Sequence, residues 1–325
     1  MPDALQRGAA ALAVAIPFVL GFATTGGPPE ADERDVVFHF TDPDIVESSG
    51  LALVGDRFVT VNDSGDSARV FVVDPATGDT TDEVTWPGEA DDVEAVAPAG
   101  RDAVWVGDIG DNTNSRSSVS VRRVPLDGSP GEGYELRYPD GARDAEALVT
   151  HPRTGQLFVI SKAVFGGQLY AAPRELTADG PNRLAAVGDV TGIVTDAAFF
   201  PDGRHLIVRT YTQALVYSWP SLESVGSFEL PRQQQGEGIA VSPDGEVFVS
   251  SEGQRAPVLK VTLPDDVRRA MAAPAASPSA SPSDASEADA TAPAAEGRPV
   301  LPWVTGFVLF GLVVFAGVRA SRRPR

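Results

Sequence analysis

The chain has 325 residues, 42% of them hydrophobic, and 45 acidic against 26 basic side chains give it a formal net charge of −19. A surface this negative repels nucleic acid and anionic lipid, and the sequence has no run of basic residues to offset it before the C-terminal arginines. With no cysteine, disulfides, thiolate metal sites and a cysteine nucleophile are excluded.

In chain order, a weakly basic start with Arg7, an apolar run over 9–23 and then Thr, Gly and Pro predict a secretory signal over 1–26. VVFHF at 36–40 reads as a strand. A phrase of one acid followed by small and apolar residues then recurs at Glu47 (ESSGLAL), Glu94 (EAVAPAG), Glu146 (EALVTHP), Asp196 (DAAFFPDG) and Glu237 (EGIAVSPDG). Repeats of this length signal a repeat architecture. In each unit a tight turn leads into a β-branched run, and a third run follows that usually ends in proline, as in RVFVVDP, QLYAAP and LVYSWP. Four units carry a fourth strand (DEVTWP, YELRYP, LAAVGDV, VGSFELP), whereas the fifth stops after VLKVTLP. The surplus strand at 36–40 supplies the missing one. The expectation is therefore an all-β fold, a five-bladed β-propeller over 35–265 closed by its N-terminal strand, with six blades as the alternative.

After the ring, an Ala/Pro/Ser-rich stretch over 266–299 is too poor in large apolar groups to pack and reads as a stalk. Residues 301–318 carry no charge, enough for about 27 Å of helix, so the sequence predicts a transmembrane helix over 300–318. The arginine-rich tail at 319–325 then lies on the cytoplasmic side. The expected protein is a single-pass cell-membrane protein with its propeller outside.

In a meander, strand-one starts and strand-two ends share one edge, and the two innermost strands of each blade bring that edge to one mouth of the channel. This gathers Glu47, Glu94, Glu146, Asp196 and Glu237 with Asp63, Asp108, Lys162, Arg209 and Glu252. So many carboxylates raise one another's pKa unless something compensates. Blades one and two also repeat D-x-G-D, in NDSGDS from Asn62 and GDIGDN from Gly107. One reading makes Asp63, Glu94, Asp108 and Asp111 the oxygen ligands of a divalent cation, Ca²⁺. The other makes these loops Asx-turns whose carboxylates bond their own backbone. The anchor acids likewise admit two readings, ligand contacts or ties between blades. Lys162 and Arg209 on blades three and four suggest an anion clamp, with Glu47, Glu146, Asp196, Glu237 and Glu252 completing a ligand site. No histidine reaches this mouth, and no nucleophile elbow or phosphate loop is present in the sequence.

With DAEAL from Asp144, QGEGIAVSPDG from Gln235 and VSSEG from Val249, the chain resembles bacterial extracytoplasmic propellers of the phytase-like group, and its PDG turns look like TolB-type and NHL-type repeats. Phytase-like propellers are six-bladed and bind Ca²⁺ through acids at the channel mouth. Glu94, Glu146 and Glu237 match their D-x-E-G-like anchors, with Ala95 and Ala147 in place of glycine. The function expected is binding, of a small ligand or an envelope protein; the alternative is a metal-dependent phosphoesterase or other hydrolase.

Overall fold

β-Branched and aromatic residues fill the runs that become strands, and these strands pair into five antiparallel meanders in a computed structural model that describes residues 30–63, 65–88 and 90–273. The first meander is β2 (Ser48–Val54), β3 (Arg57–Asn62), β4 (Arg69–Val73) and β5 (Thr80–Thr85). The second is β6 (Val93–Pro98), β7 (Ala103–Asp108), β8 (Val119–Pro125) and β9 (Gly133–Arg137). The third joins β10 (Ala145–Thr150), β11 (Leu157–Ser161), β12 (Gly167–Ala171) and β14 (Ala185–Val190). The fourth is β15 (Val194–Phe199), β16 (His205–Thr210), β17 (Gln213–Ser218) and β18 (Ser224–Glu229). In the fifth, β19 (Gly236–Val241), β20 (Val247–Ser251) and β21 (Pro257–Val261) are completed by β1 (Val36–His39), as the strand count requires.

The innermost strands β2, β6, β10, β15 and β19 each touch the next around the ring, and β19 touches β2. This makes a closed five-bladed propeller and disposes of the six-bladed alternative. The core is divided accordingly into five apolar clusters, each between two adjacent blades. Val59, Val61, Val70 and Val72 of blade one meet Val96, Val104 and Val106 of blade two. At the closure, Phe38 and Phe40 of the N-terminal segment join Phe58 and Phe248 in a chain of edge-on ring contacts 5.2–5.5 Å between centroids.

Two elements go beyond the sequence expectation. A two-residue strand, β13 (Asn182–Arg183), runs parallel along β9 and so ties the outer edge of blade two to the chain of blade three. Helix α1 (Asp265–Ala272) occupies part of the segment read as stalk. Pro264 precedes its first turn, Asp265 and Asp266 lie in that turn, and Arg269 lies in the last, which suits the helix dipole. Its Val267 is buried with Phe200, Val216 and Leu259 in the cluster between blades four and five, an anchor that composition alone does not reveal. No helix among the described residues is long and apolar enough to cross a membrane. The expected signal, the rest of the stalk, the membrane helix and the arginine tail lie outside the described residues.

Candidate functional site

Each innermost strand breaks register with its partner near its start, between Ser48 and Gly50, Val93 and Ala95, Ala145 and Ala147, Val194 and Asp196, and Gly236 and Ile239. The repeated phrase is thus a β-bulge, a device that re-aims a side chain. The extra residue is Glu94 in blade two, Glu146 in blade three and Glu237, with Gly238, in blade five. In blade four it is Thr195, one place before the expected Asp196, and in blade one it is Ser49, two places after the expected Glu47. Both hydroxyls do the same work: Ser49 Oγ donates to the Glu94 carbonyl at 2.9 Å and Thr195 Oγ1 to the Glu237 carbonyl at 3.0 Å, so each ties its blade to the next.

The acids expected at the mouth therefore separate by environment. Glu94, Glu146 and Glu237 are buried at 3–4% exposure, while Glu47 is exposed ahead of β2. Asp196 is fully buried and accepts from the backbone N–H groups of Ala197 and Ile239 at 2.8 Å and of Leu51 at 3.4 Å. It is a blade tie that gathers β15, β19 and β2. Burial pushes its carboxyl well up, against the pull of those donors and of the nearby Arg209 guanidinium. Arg209 is likewise wholly buried, donating to the carbonyls of Gly238 and Ser250 and to Gln233 Oε1, and burial lowers its pKa.

Lys162 contacts Glu146 at 2.5 Å and stands 5.8 Å from the Tyr211 ring centre. The expected anion clamp of Lys162 and Arg209 is thus turned to internal partners. Burial works to lower the Lys162 ammonium, but Glu146, Tyr211 and Glu237 carry it above its ordinary value.

Among the four residues expected to hold a cation, the structure brings two together. Asp63 and Glu94 each offer a carboxylate oxygen to a group whose members lie within 4.8 Å of one another, and the third member is Asp92. Asp92 lies just before β6, where the bulge at Glu94 breaks the strand alternation, so the sequence pattern did not mark it. Gly110, the glycine of the blade-two D-x-G-D, makes the approach sterically feasible: a Cβ there would meet the Asp92 carboxylate at 2.5 Å and Glu94 Oε1 at 2.8 Å.

Asp108 and Asp111 hold the loop instead. Asp108 accepts from the N–H groups of Asp91 and Asp92 at 3.1 Å and pairs with Arg116 at 2.8 Å. Asp111 caps its own turn, accepting from Ser115 N–H at 2.9 Å and Arg116 N–H at 2.7 Å. The Asx-turn reading therefore describes the second aspartate of the blade-two motif, because backbone donors within five residues engage its oxygens. In blade one the equivalent Asp66 is held by Arg69 and Asn62.

The crowding has a titration consequence. Burial, then the neighbouring charges Glu146, Asp63 and Asp92, push Glu94 well up, and burial and Glu146 do the same to Glu237. Burial, opposed by Lys162, takes Glu146 to about 7, and burial with Asp63 and Glu47 takes Glu252 to about 7. Such a carboxyl keeps its proton in the folded state after the unfolded chain has released it. Its stabilising effect is full below the unfolded value and is lost as pH rises through about 7. The melting temperature without added metal should therefore fall between about pH 5 and about pH 8, by roughly 2–4 °C for each kcal/mol lost. Glu252→Gln should flatten that slope. Calorimetric scans across the range check it, and a melting temperature that climbs with pH would contradict the assignment.

No family model and no curated protein matches the sequence. Among solved structures, Kuenenia stuttgartiensis hydrazine synthase matches at 16% identity and a TM-score of 0.40, over 64% of this chain. An auxiliary nutrient binding protein from Bacteroides thetaiotaomicron matches at 11% identity and a TM-score of 0.42, over 66% of this chain. The chain spans 57% of the length of each.

Proposed function

We propose that the protein is a binding module whose propeller holds a divalent cation at the mouth where the innermost strands begin, with Asp63, Asp92 and Glu94 as ligands. The observation that carries this reading is the convergence of three carboxylate oxygens within 4.8 Å, over a glycine whose missing side chain leaves them room. Hard oxygen donors in a site with two partly exposed members suit Ca²⁺, which completes its shell with carbonyls and water. The charge and apolar pattern of residues 300–325 supports a tethered form with the ring on the outer side of a membrane.

A cation that binds only the folded state stabilises it by about 2.7 kcal/mol at a hundredfold excess over its dissociation constant. Millimolar Ca²⁺ should raise the melting temperature of the full chain, and chelator should reverse the rise. Asp92→Asn should weaken the response, and Gly110→Ala should abolish it by forcing the carboxylates apart. Asp82→Asn, on an outer strand, should respond like the parent. A melting curve indifferent to Ca²⁺, or a full response in Asp92→Asn, would remove the assignment. Ca²⁺-dependent turnover of p-nitrophenyl phosphate would establish the phosphoesterase alternative in place of a binding role.

A further inference from the structure

Each innermost strand carries its bulge at the acidic mouth and runs from there to the opposite end of the channel, where the first hairpin turn of the blade lies. A cavity of about 400 Å³ occupies that end. The position four residues after each bulge residue lines it, as Leu53, Pro98, Thr150, Phe199 and Val241, so all five blades contribute to one wall. Thr150 is the polar member of that layer.

No Asp, Glu, Lys or Arg lines the cavity, in a chain that is 22% charged, so an ion entering it would find no counter-charge. Its inner end lies at the Asp196 tie, because Leu51 and Ile239 line it and their N–H groups bond that buried carboxylate at 3.4 and 2.8 Å. Of the polar side chains in the lining, two are satisfied. His151 Nε2–H donates to the Gly203 carbonyl at 3.2 Å and Nδ1 accepts from the N–H groups of Arg153 and Thr154 at 3.3 Å, while Ser242 Oγ accepts from Glu246 N–H at 3.0 Å. Thr150 Oγ1 is buried and has no hydrogen-bond partner among the described residues. Valine would fill the same space without that cost. Thr150 is itself partly exposed, and with nothing bonded to the hydroxyl a staggered rotation about χ1 turns it toward the cavity.

We propose that this cavity is a second binding site of the ring, for a compact, neutral, mostly apolar molecule with one group that hydrogen-bonds to the Thr150 hydroxyl. Size and charge select the occupant. The volume falls within the range of about 300–1,000 Å³ that small-molecule pockets span, and a largely apolar wall with few polar groups is the usual form of such a pocket. A polypeptide would bring an amide with each residue into a wall where Thr150 is the one unsatisfied side chain. The site lies at the other end of the innermost strands from the cation site and does not depend on it.

The test is equilibrium dialysis of the full chain against 1-naphthol, a neutral two-ring alcohol read by its fluorescence, with naphthalene and the anion 1-naphthoate as comparisons and a protein-free blank in the same mild detergent. 1-Naphthol should bind saturably and about two- to tenfold tighter than naphthalene, the range that one net hydrogen bond supports. 1-Naphthoate should bind at least about tenfold more weakly than 1-naphthol. Thr150→Val should bring the Kd of 1-naphthol within about twofold of that of naphthalene, leave naphthalene unchanged and melt no lower than the parent. Val241→Trp, which fills the cavity from its partly exposed wall, should weaken both at least about tenfold. Uptake that matches the blank, equal binding of 1-naphthol and 1-naphthoate, or an intact preference for 1-naphthol in Thr150→Val would overturn the proposal. The Kd values should be the same in chelator and in Ca²⁺, so this site and the cation site fail separately.

Discussion

Deletion of residues 36–40 should leave a chain that no longer unfolds cooperatively. β1 pairs with β21 through Val36 with Leu259, Phe38 with Val258 and His39 with Pro257, and it is the fourth strand of the last blade. Removing it exposes the β21 edge and takes away Phe38, 5% exposed, and Phe40, 0% exposed. Truncating one buried phenylalanine costs about 3–5 kcal/mol, against a total of about 5–15 kcal/mol for a domain. Two such losses with a ladder leave little or no net stability. Phe40→Ala separates packing from strand loss: it should keep a cooperative transition shifted by about 3–5 kcal/mol in urea. A deletion variant that melts like the parent would show that the ring does not depend on closure by its N-terminal strand.

Asp196→Ala should be the most damaging single substitution at the ring centre. The carboxylate is the acceptor for backbone N–H groups on three innermost strands, and it lies beside the buried Arg209. Alanine leaves the inter-blade donors Leu51 N–H and Ile239 N–H without that acceptor. A buried donor left without its acceptor costs about 1–3 kcal/mol, and here two are left at once. Asp56→Ala, in the exposed hairpin turn of blade one, should lie within about 0.5 kcal/mol of the parent. Parallel denaturant titrations of the two variants give the comparison. Equal midpoints would mean that Asp196 is replaceable and that the blades are tied by apolar packing alone.

The sequence alone determined the strand order within each blade and the closing role of the N-terminal strand, because these rest on local properties repeated along the chain, whereas the contacts between innermost strands decided for five blades over six. β-Branched runs make strands, turn residues end them, and a missing strand at one end must be matched by a surplus at the other. It also determined that acids from several blades meet at one mouth, since the edge at which each strand starts follows from the meander. Tertiary structure decided which acids meet. A bulge shifts register by a residue that the acid phrase does not mark, so Ser49 and Thr195 take the places expected of Glu47 and Asp196. Within the D-x-G-D loops, competition between near backbone donors and distant carboxylates set the outcome: Asp111 went to its own turn, while Asp92 joined Asp63 and Glu94. Helix α1 depends on one contact surface, the cluster between blades four and five that buries Val267, which exists only once those blades have packed.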